Sequence, residues 1–176
     1  MMNSTPRLYL AGKIDKSDWR HAVIPGLRRH EECIEPIETQ DFVYVGPFFK
    51  SCDHGCFHAD SAHGLLGQSQ KLRKLPQLHV RNICFDGVKN CDIFILYLNH
   101  REAYGSLVEL GWAQALGKKT VLIFAPGIAY PYNNDFWFGS ITADRVVFNV
   151  NEVDVKRIIY EVVGDCNLAN TSGCGE

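Results

Sequence analysis

The chain has 176 residues, the size of one ordinary domain, and 46% of them are hydrophobic against 22% charged. This is average globular composition, which excludes a fibrous protein and wholesale disorder; a chain of this length buries roughly 70% of its unfolded surface and needs no staples. Lys plus Arg is 18 and Asp plus Glu is 20, a net charge of −2, so no basic field draws the chain to nucleic acid or to an anionic membrane. Apolar runs such as residues 92–98 and 120–126 are too short to span a bilayer. Residues 1–10 lack the pattern of a signal peptide, and a cytoplasmic protein is expected. The seven cysteines, at 33, 52, 56, 84, 91, 166 and 174, are odd in number, so reduced thiols are expected rather than a disulfide framework.

In chain order, residues 7–11 (RLYLA) are a short β-rich run ended by Gly12 and read as a buried first strand. Ser17 and Asp18 offer N-caps for a helix over residues 21–30, which Pro25-Gly26 must break or kink. Residues 42–45 form a second strand, closed by Gly46-Pro47. Residues 48–76 are rich in His, Cys, Gly and Ser without periodicity, and a loop that long inside a compact domain is functional or disordered. Helical spacing returns over residues 79–90 at Val80, Ile83, Cys84 and Val88, weakened by Gly87. IFILYL (93–98) is the unbroken apolar strand of a sheet covered on both faces. Residues 106–116 carry the strongest helical pattern, with Ser106 as N-cap, Leu107, Leu110, Ala113 and Leu116 as apolar stripe, and Gly117 as C-cap. TVLIFA (120–125) is another buried strand, and residues 126–144 are aromatic and turn-rich. Residues 145–150 form a last strand and 152–163 a last amphipathic helix, followed by a flexible tail over 164–176.

Strands that alternate with helices five times predict a single α/β domain over residues 1–163. Its five-stranded, mainly parallel sheet has helices on both faces and right-handed crossovers. Ligands of such sheets lie beyond the carboxyl ends of the strands, near the switch in strand order. Residues 12–18, 46–63, 99–109 and 126–138 follow strands and are the segments that hold a candidate site.

Within them, Glu109 is placed in the first turn of a helix that opens after a buried strand, where the helix dipole favours its ionised form. A fixed carboxylate in a cleft stabilises, or covalently traps, the sugar cation formed when an N-glycosidic bond breaks. Ser106-x-x-Glu109 is equally a capping box, in which Glu109 only closes its own helix end. Gly12 lets a ligand approach the backbone. Lys13 either meets a phosphate or carboxylate as a point charge or is a solvated turn residue. Asp18 is read as an N-cap and Trp19 as core. Residues 46–63 (GPFFKSCDHGCFHADSAH) hold Cys52, Asp53, His54, Cys56, His58, Asp60 and His63. Cys and His are zinc ligands, but Cys52-x3-Cys56 matches no standard finger spacing. The preferred reading is a substrate loop with Asp53 and His54 as polar contacts and Phe48 or Phe49 as an apolar wall. His54 or His58 can protonate a leaving base near neutral pH. A solvated loop is the alternative. Asp92 lies at the amino end of its strand and reads as a structural cap. Residues 130–138 (YPYNNDFWF) are an aromatic cluster suited to stacking a base, covering a neighbouring site or a subunit contact.

LYLAG (8–12), NCDIFILYL (90–98) and YGSLVELGWAQALGKK (104–119) together resemble the nucleoside 2-deoxyribosyltransferase family and its N-glycosidase relatives. The resemblance covers the first strand and residues 81–125, and rests on Tyr9, Gly12, Gly105, Glu109, Gly111 and Ala113. It implies a flavodoxin-like, Rossmann-like sandwich, with Glu109 as a nucleophile that forms a glycosyl-enzyme. It implies no metal and no cofactor, and a homodimer or higher homo-oligomer with sites completed across subunits. The family's acidic partner falls six residues before that glutamate, here Ala103 with Glu102 adjacent. A further family aspartate falls near Cys84, with Asn82 and Asp86 as neighbours. The expected catalytic set is Glu109 with Asp86 or His54. The substrate contacts expected are Tyr9, Gly12, Lys13, Asp53, Asn82, Gly105 and Ser106. The expected activity is cleavage or transfer at the N-glycosidic bond of a nucleoside or nucleotide. The alternative is a non-catalytic nucleotide-binding module on the same scaffold.

Overall fold

The computed structural model describes residues 5–14, 18–24, 27, 35–48, 77–128 and 136–172. Within them six strands form one sheet: β1 (Arg7–Ala11), β2 (Ile37–Glu38), β3 (Val43–Tyr44), β4 (Ile93–Leu98), β5 (Lys119–Phe124) and β6 (Arg145–Val147). The order is β2-β3-β1-β4-β5-β6, with every neighbouring pair parallel except β2 with β3. The sheet therefore has one strand more than the five the sequence predicts. Without edge strand β2, the order is the flavodoxin-like 2-1-3-4-5. Only two residues long, β2 is held by a tight turn in which the Thr39 hydroxyl accepts from the Phe42 N–H at 3.1 Å and donates to its carbonyl at 2.6 Å. A two-residue edge strand after Pro36 has no periodicity to read.

Among the described residues five helices flank the sheet: α1 (Arg20–Val23), α2 (Gln77–Asn90), α3 (Tyr104–Ala115), α4 (Trp137–Thr142) and α5 (Glu152–Ser172). Side chains of successive strand residues point to opposite faces, so each central strand feeds two cores. Leu8, Leu10, Ile93, Ile95, Tyr97, Val121 and Ile123 pack with Trp19 and Val23 and with Val155, Ile158, Ile159 and Val162 of α5. Tyr9, Ala11, Phe94, Leu96, Leu98, Leu122 and Phe124 pack with Val88 of α2 and with Leu110 and Ala113 of α3. Double coverage is why these strands read as unbroken apolar runs.

Helix boundaries depart from the sequence reading in several places. α1 stops at Val23, ahead of Pro25, whose ring cannot continue a helix. α3 begins two residues before Ser106: its N-cap is Ala103, and the Leu107 N–H already bonds the Ala103 carbonyl at 3.1 Å. Ser106 is thus a buried residue inside the helix and not its cap. At the other end Gly117 sits at φ 66° and donates to Gln114, while Lys118 donates to Ala113; this is a Schellman closure, as the Gly117 stop signal predicts. α4 occupies part of the segment read as turns, and α5 continues past Gly164 to Ser172, where the composition predicts a tail.

Candidate active site

β1 has β3 on one side and β4 on the other, so the chain reverses its direction of winding there and leaves a crevice at the carboxyl ends of these strands. A cleft of about 350 Å³ occupies this position. Gly12, Lys13 and Ile14 line it after β1, Pro47 and Phe48 after β3, Glu102 and Ala103 before α3, Gly105, Ser106 and Glu109 on α3, and Val80 and Cys84 on α2. The volume lies at the small end of the range for small-molecule sites, about 300–1,000 Å³.

Glu109 is the sixth residue of α3, in its second turn. The helix start at Tyr104 therefore overturns both the capping-box geometry and the dipole argument, since the dipole effect falls off within the first turn. Burial instead pushes the Glu109 carboxyl above the usual carboxylate range; the Tyr9 hydroxyl, the Arg20 charge and the Cys84 thiol pull it part of the way back. Tyr9 is fully buried in β1, its ring stacked on Phe94 at 5.6 Å, and its hydroxyl donates to Glu109 Oε1 at 2.8 Å. Burial, then the Glu109 charge, raise the Tyr9 phenol well above its ordinary value, so it stays a donor. Helix α2 closes on this ring because of Gly87: a Cβ there would lie 2.8 Å from Tyr9 Cε2 and 2.7 Å from the Val45 carbonyl. The glycine that weakens the helical pattern is the residue that admits Tyr9.

Gly12 has φ 144°, and a Cβ on it would meet the Tyr97 carbonyl at 2.6 Å. Beneath it lies a fully buried ion pair, with Arg20 Nη1 2.8 Å from Asp18 Oδ2. Asp18 also accepts from the Arg20 backbone N–H at 2.9 Å, but the N-cap of α1 is Trp19, so Asp18 stands one residue before the cap position read for it and serves the charge pair instead. Trp19 is core, edge-on to Tyr97. At the cleft mouth Lys13 Nζ lies 3.4 Å from Glu102 Oε2, an exposed pair.

Gly12, Lys13, Gly105, Ser106 and Glu109 therefore line one cleft, whereas Tyr9, a hundred residues before Glu109, does not line it and is wholly buried behind it, joined to it through its hydrogen bond to Glu109. Asn82 and Asp86 do not join them. Both are exposed on α2, about 200° round the helix from Cys84, whose face the cleft shares with Val80. Asp53 and His54 lie outside the described residues. Among the described residues no group of three or more His, Cys, Asp or Glu is arranged to hold a metal ion, and no helix is long and apolar enough to cross a membrane. Asp92 accepts from the Arg7 backbone N–H at 2.8 Å at the amino end of the sheet, so its place is structural, but it fastens β1 where the reading made it a cap on the preceding turn. Sequence reasoning missed Arg20, which stands next to Trp19 and His21 at the end of a polar turn and carries no local sign of its burial.

No protein-family model and no curated protein matches the chain. Among solved structures it is similar to the CMP N-glycosidase BcmB of Clostridium botulinum, at 25% identity over 44% of this chain and 68% of that one, with a TM-score of 0.36.

Proposed function

We propose that this protein breaks the N-glycosidic bond of a nucleoside or nucleotide, with Glu109 as nucleophile. The observation that carries the reading is the Glu109 carboxyl at the switch-point cleft, oriented by the Tyr9 hydroxyl at 2.8 Å. The family resemblance of residues 8–12 and 104–119 supports it. In the first step an ionised Glu109 oxygen bonds to C1′ of the sugar. The base departs with the electron pair of the broken C–N bond and takes a proton. In the second step water or an acceptor base attacks C1′ and releases Glu109. His54 is the proposed proton donor, because a histidine shares its proton near neutral pH. Asp86 is the weaker choice, since it faces away from the cleft. Lys13 is proposed to meet a phosphate or a sugar hydroxyl at the mouth. A homo-oligomer belongs to the same proposal and is tested by light scattering.

The test is chromatography of free bases after incubation with nucleosides, 5′-nucleotides and NAD, with and without an acceptor base, beside Glu109→Gln. Base release that disappears in the variant supports the mechanism, and dependence on the acceptor separates transfer from hydrolysis. Release that persists in Glu109→Gln rejects Glu109 as nucleophile. No release from any compound, with a raised melting temperature in one, makes the protein a nucleotide-binding module.

A further inference from the structure

We propose that Arg20 is a positioning residue of the Glu109 site, acting through the Gly12 backbone and as a fixed buried cation. The inference rests on Glu109 being the working carboxylate. Arg20 is the first residue of a four-residue helix and is wholly removed from solvent. A guanidinium in that position is heavily disfavoured unless it is paired and hydrogen-bonded. Here Nη1 meets both Asp18 oxygens at 3.0 and 2.8 Å, Nε donates to the Leu10 carbonyl at 2.6 Å, and Nη2 donates to the Gly12 carbonyl at 2.8 Å. The guanidinium carbon lies 4.7 Å from the Trp19 ring centroid.

Two features separate this arrangement from a stability device. A buried ion pair contributes little beyond what an apolar pair of the same volume does, so stability alone does not call for one here. The clamp also falls on the two carbonyls that flank Ala11, where the chain leaves β1 and becomes the cleft wall. Pinning the Gly12 carbonyl inward turns the N–H of the same trans peptide, that of Lys13, away from Arg20.

The groups of the described residues that face Glu109 or share its cleft are Tyr9 from β1, Cys84 from α2, Arg20 of α1 with its partner Asp18, and the exposed Lys13–Glu102 pair. Tyr9 and Cys84 are neutral donors, and Lys13 is engaged by Glu102. Arg20 is the wholly buried cation in this set; it lies directly under Gly12, which lines the same cleft as Glu109, and a charge fixed out of solvent is little screened. The coupling runs both ways: burial disfavours the Arg20 charge, whereas Asp18, Tyr44 and Glu109 favour it and more than compensate.

The test is the titration of the Glu109 carboxyl by carbon NMR in the native protein, Arg20→Lys, Arg20→Gln and Asp18→Asn/Arg20→Gln, beside the pH profile of kcat/KM for base release. Arg20→Gln should raise the Glu109 midpoint and the acid limb together by about one pH unit. The paired variant removes both charges and keeps the fold if the single one does not; it should shift both in the same direction by less. Arg20→Lys should hold the midpoint while kcat/KM falls several-fold, because one ammonium cannot clamp both carbonyls. An unmoved midpoint in a folded neutral variant overturns the electrostatic role, and an unchanged kcat/KM in Arg20→Lys overturns the clamp. The titration needs no turnover. A native protein that releases no base therefore rejects the proposed activity and leaves the Glu109–Arg20 coupling to be judged separately.

Discussion

The two ends of β1 use the same kinds of side chain to different effect. At the amino end, in water, the Arg7 backbone N–H donates to Asp92, the Arg7 guanidinium donates to the Asn90 carbonyl, and the Asp92 N–H returns to the Arg7 carbonyl. These contacts tie β1 to the turn that leads into β4. At the carboxyl end the acid is Glu109, the arginine is Arg20, and both sit against the buried ring-and-strand core around Tyr9 and Tyr97. Out of water, the carboxyl is pushed above its ordinary range and the cation needs four hydrogen bonds to a carboxylate and two carbonyls. Hydration, not residue type, sets the electrostatics of the two ends apart.

The largest effect that sharpens this contrast is on activity. Glu109→Gln should lower base release by on the order of 10³-fold or more, as loss of a covalent nucleophile does. The same change should stabilise the fold at neutral pH. The Glu109 carboxyl titrates higher folded than unfolded, so the native state binds the extra proton and its stability falls as pH rises from about 4 through the folded value. The gain in melting temperature of Glu109→Gln over the native protein should therefore be present at pH 7 and vanish toward pH 4. A gain that is constant across pH breaks the assignment.

Next in size, Arg20→Met removes the guanidinium that meets both Asp18 oxygens in the core. It should cost about 3–5 kcal/mol in urea unfolding. Tyr9→Phe removes the donor to Glu109 while keeping the stacked ring. It should cost about 1 kcal/mol and move the acid limb of activity upward, since the hydroxyl holds the carboxyl down. The smallest effect belongs to the exposed end: Asp92→Asn should change stability by less than about 1 kcal/mol, with base release unaffected. A loss of base release there would merge the two ends into one functional unit and end the comparison.

Much of this was legible locally. RLYLA and IFILYL are strands at the bounds read for them, because a strand buried on both faces has no polar position to blur its ends. The Gly117 stop was legible because a left-handed residue is needed at one place. The start of α3 differs from the reading, because Ser106 is a good cap only if the helix begins after it, whereas the helix begins at Tyr104 with Ala103 as its N-cap and no side-chain cap bond. Asn82 and Asp86 were drawn toward the site by nearness in sequence to Cys84, but a helix turns residues two apart to nearly opposite sides.

The sequence by itself determined the parallel sheet, the carboxyl-end position of the candidate segments and the choice of Glu109, Tyr9 and Gly12. The sheet and the segments follow from periodicity and turn chemistry written within a few residues, and the choice of Glu109 and Tyr9 from the family resemblance of residues 8–12 and 104–119. Only the tertiary structure decided that the Tyr9 hydroxyl meets Glu109 across a hundred residues, that Gly87 makes room for it, and that Arg20 lies paired beneath Gly12. Hydrogen-bond partners and solvation are properties of what the folded chain brings together, and the ionisation of a carboxylate depends on both.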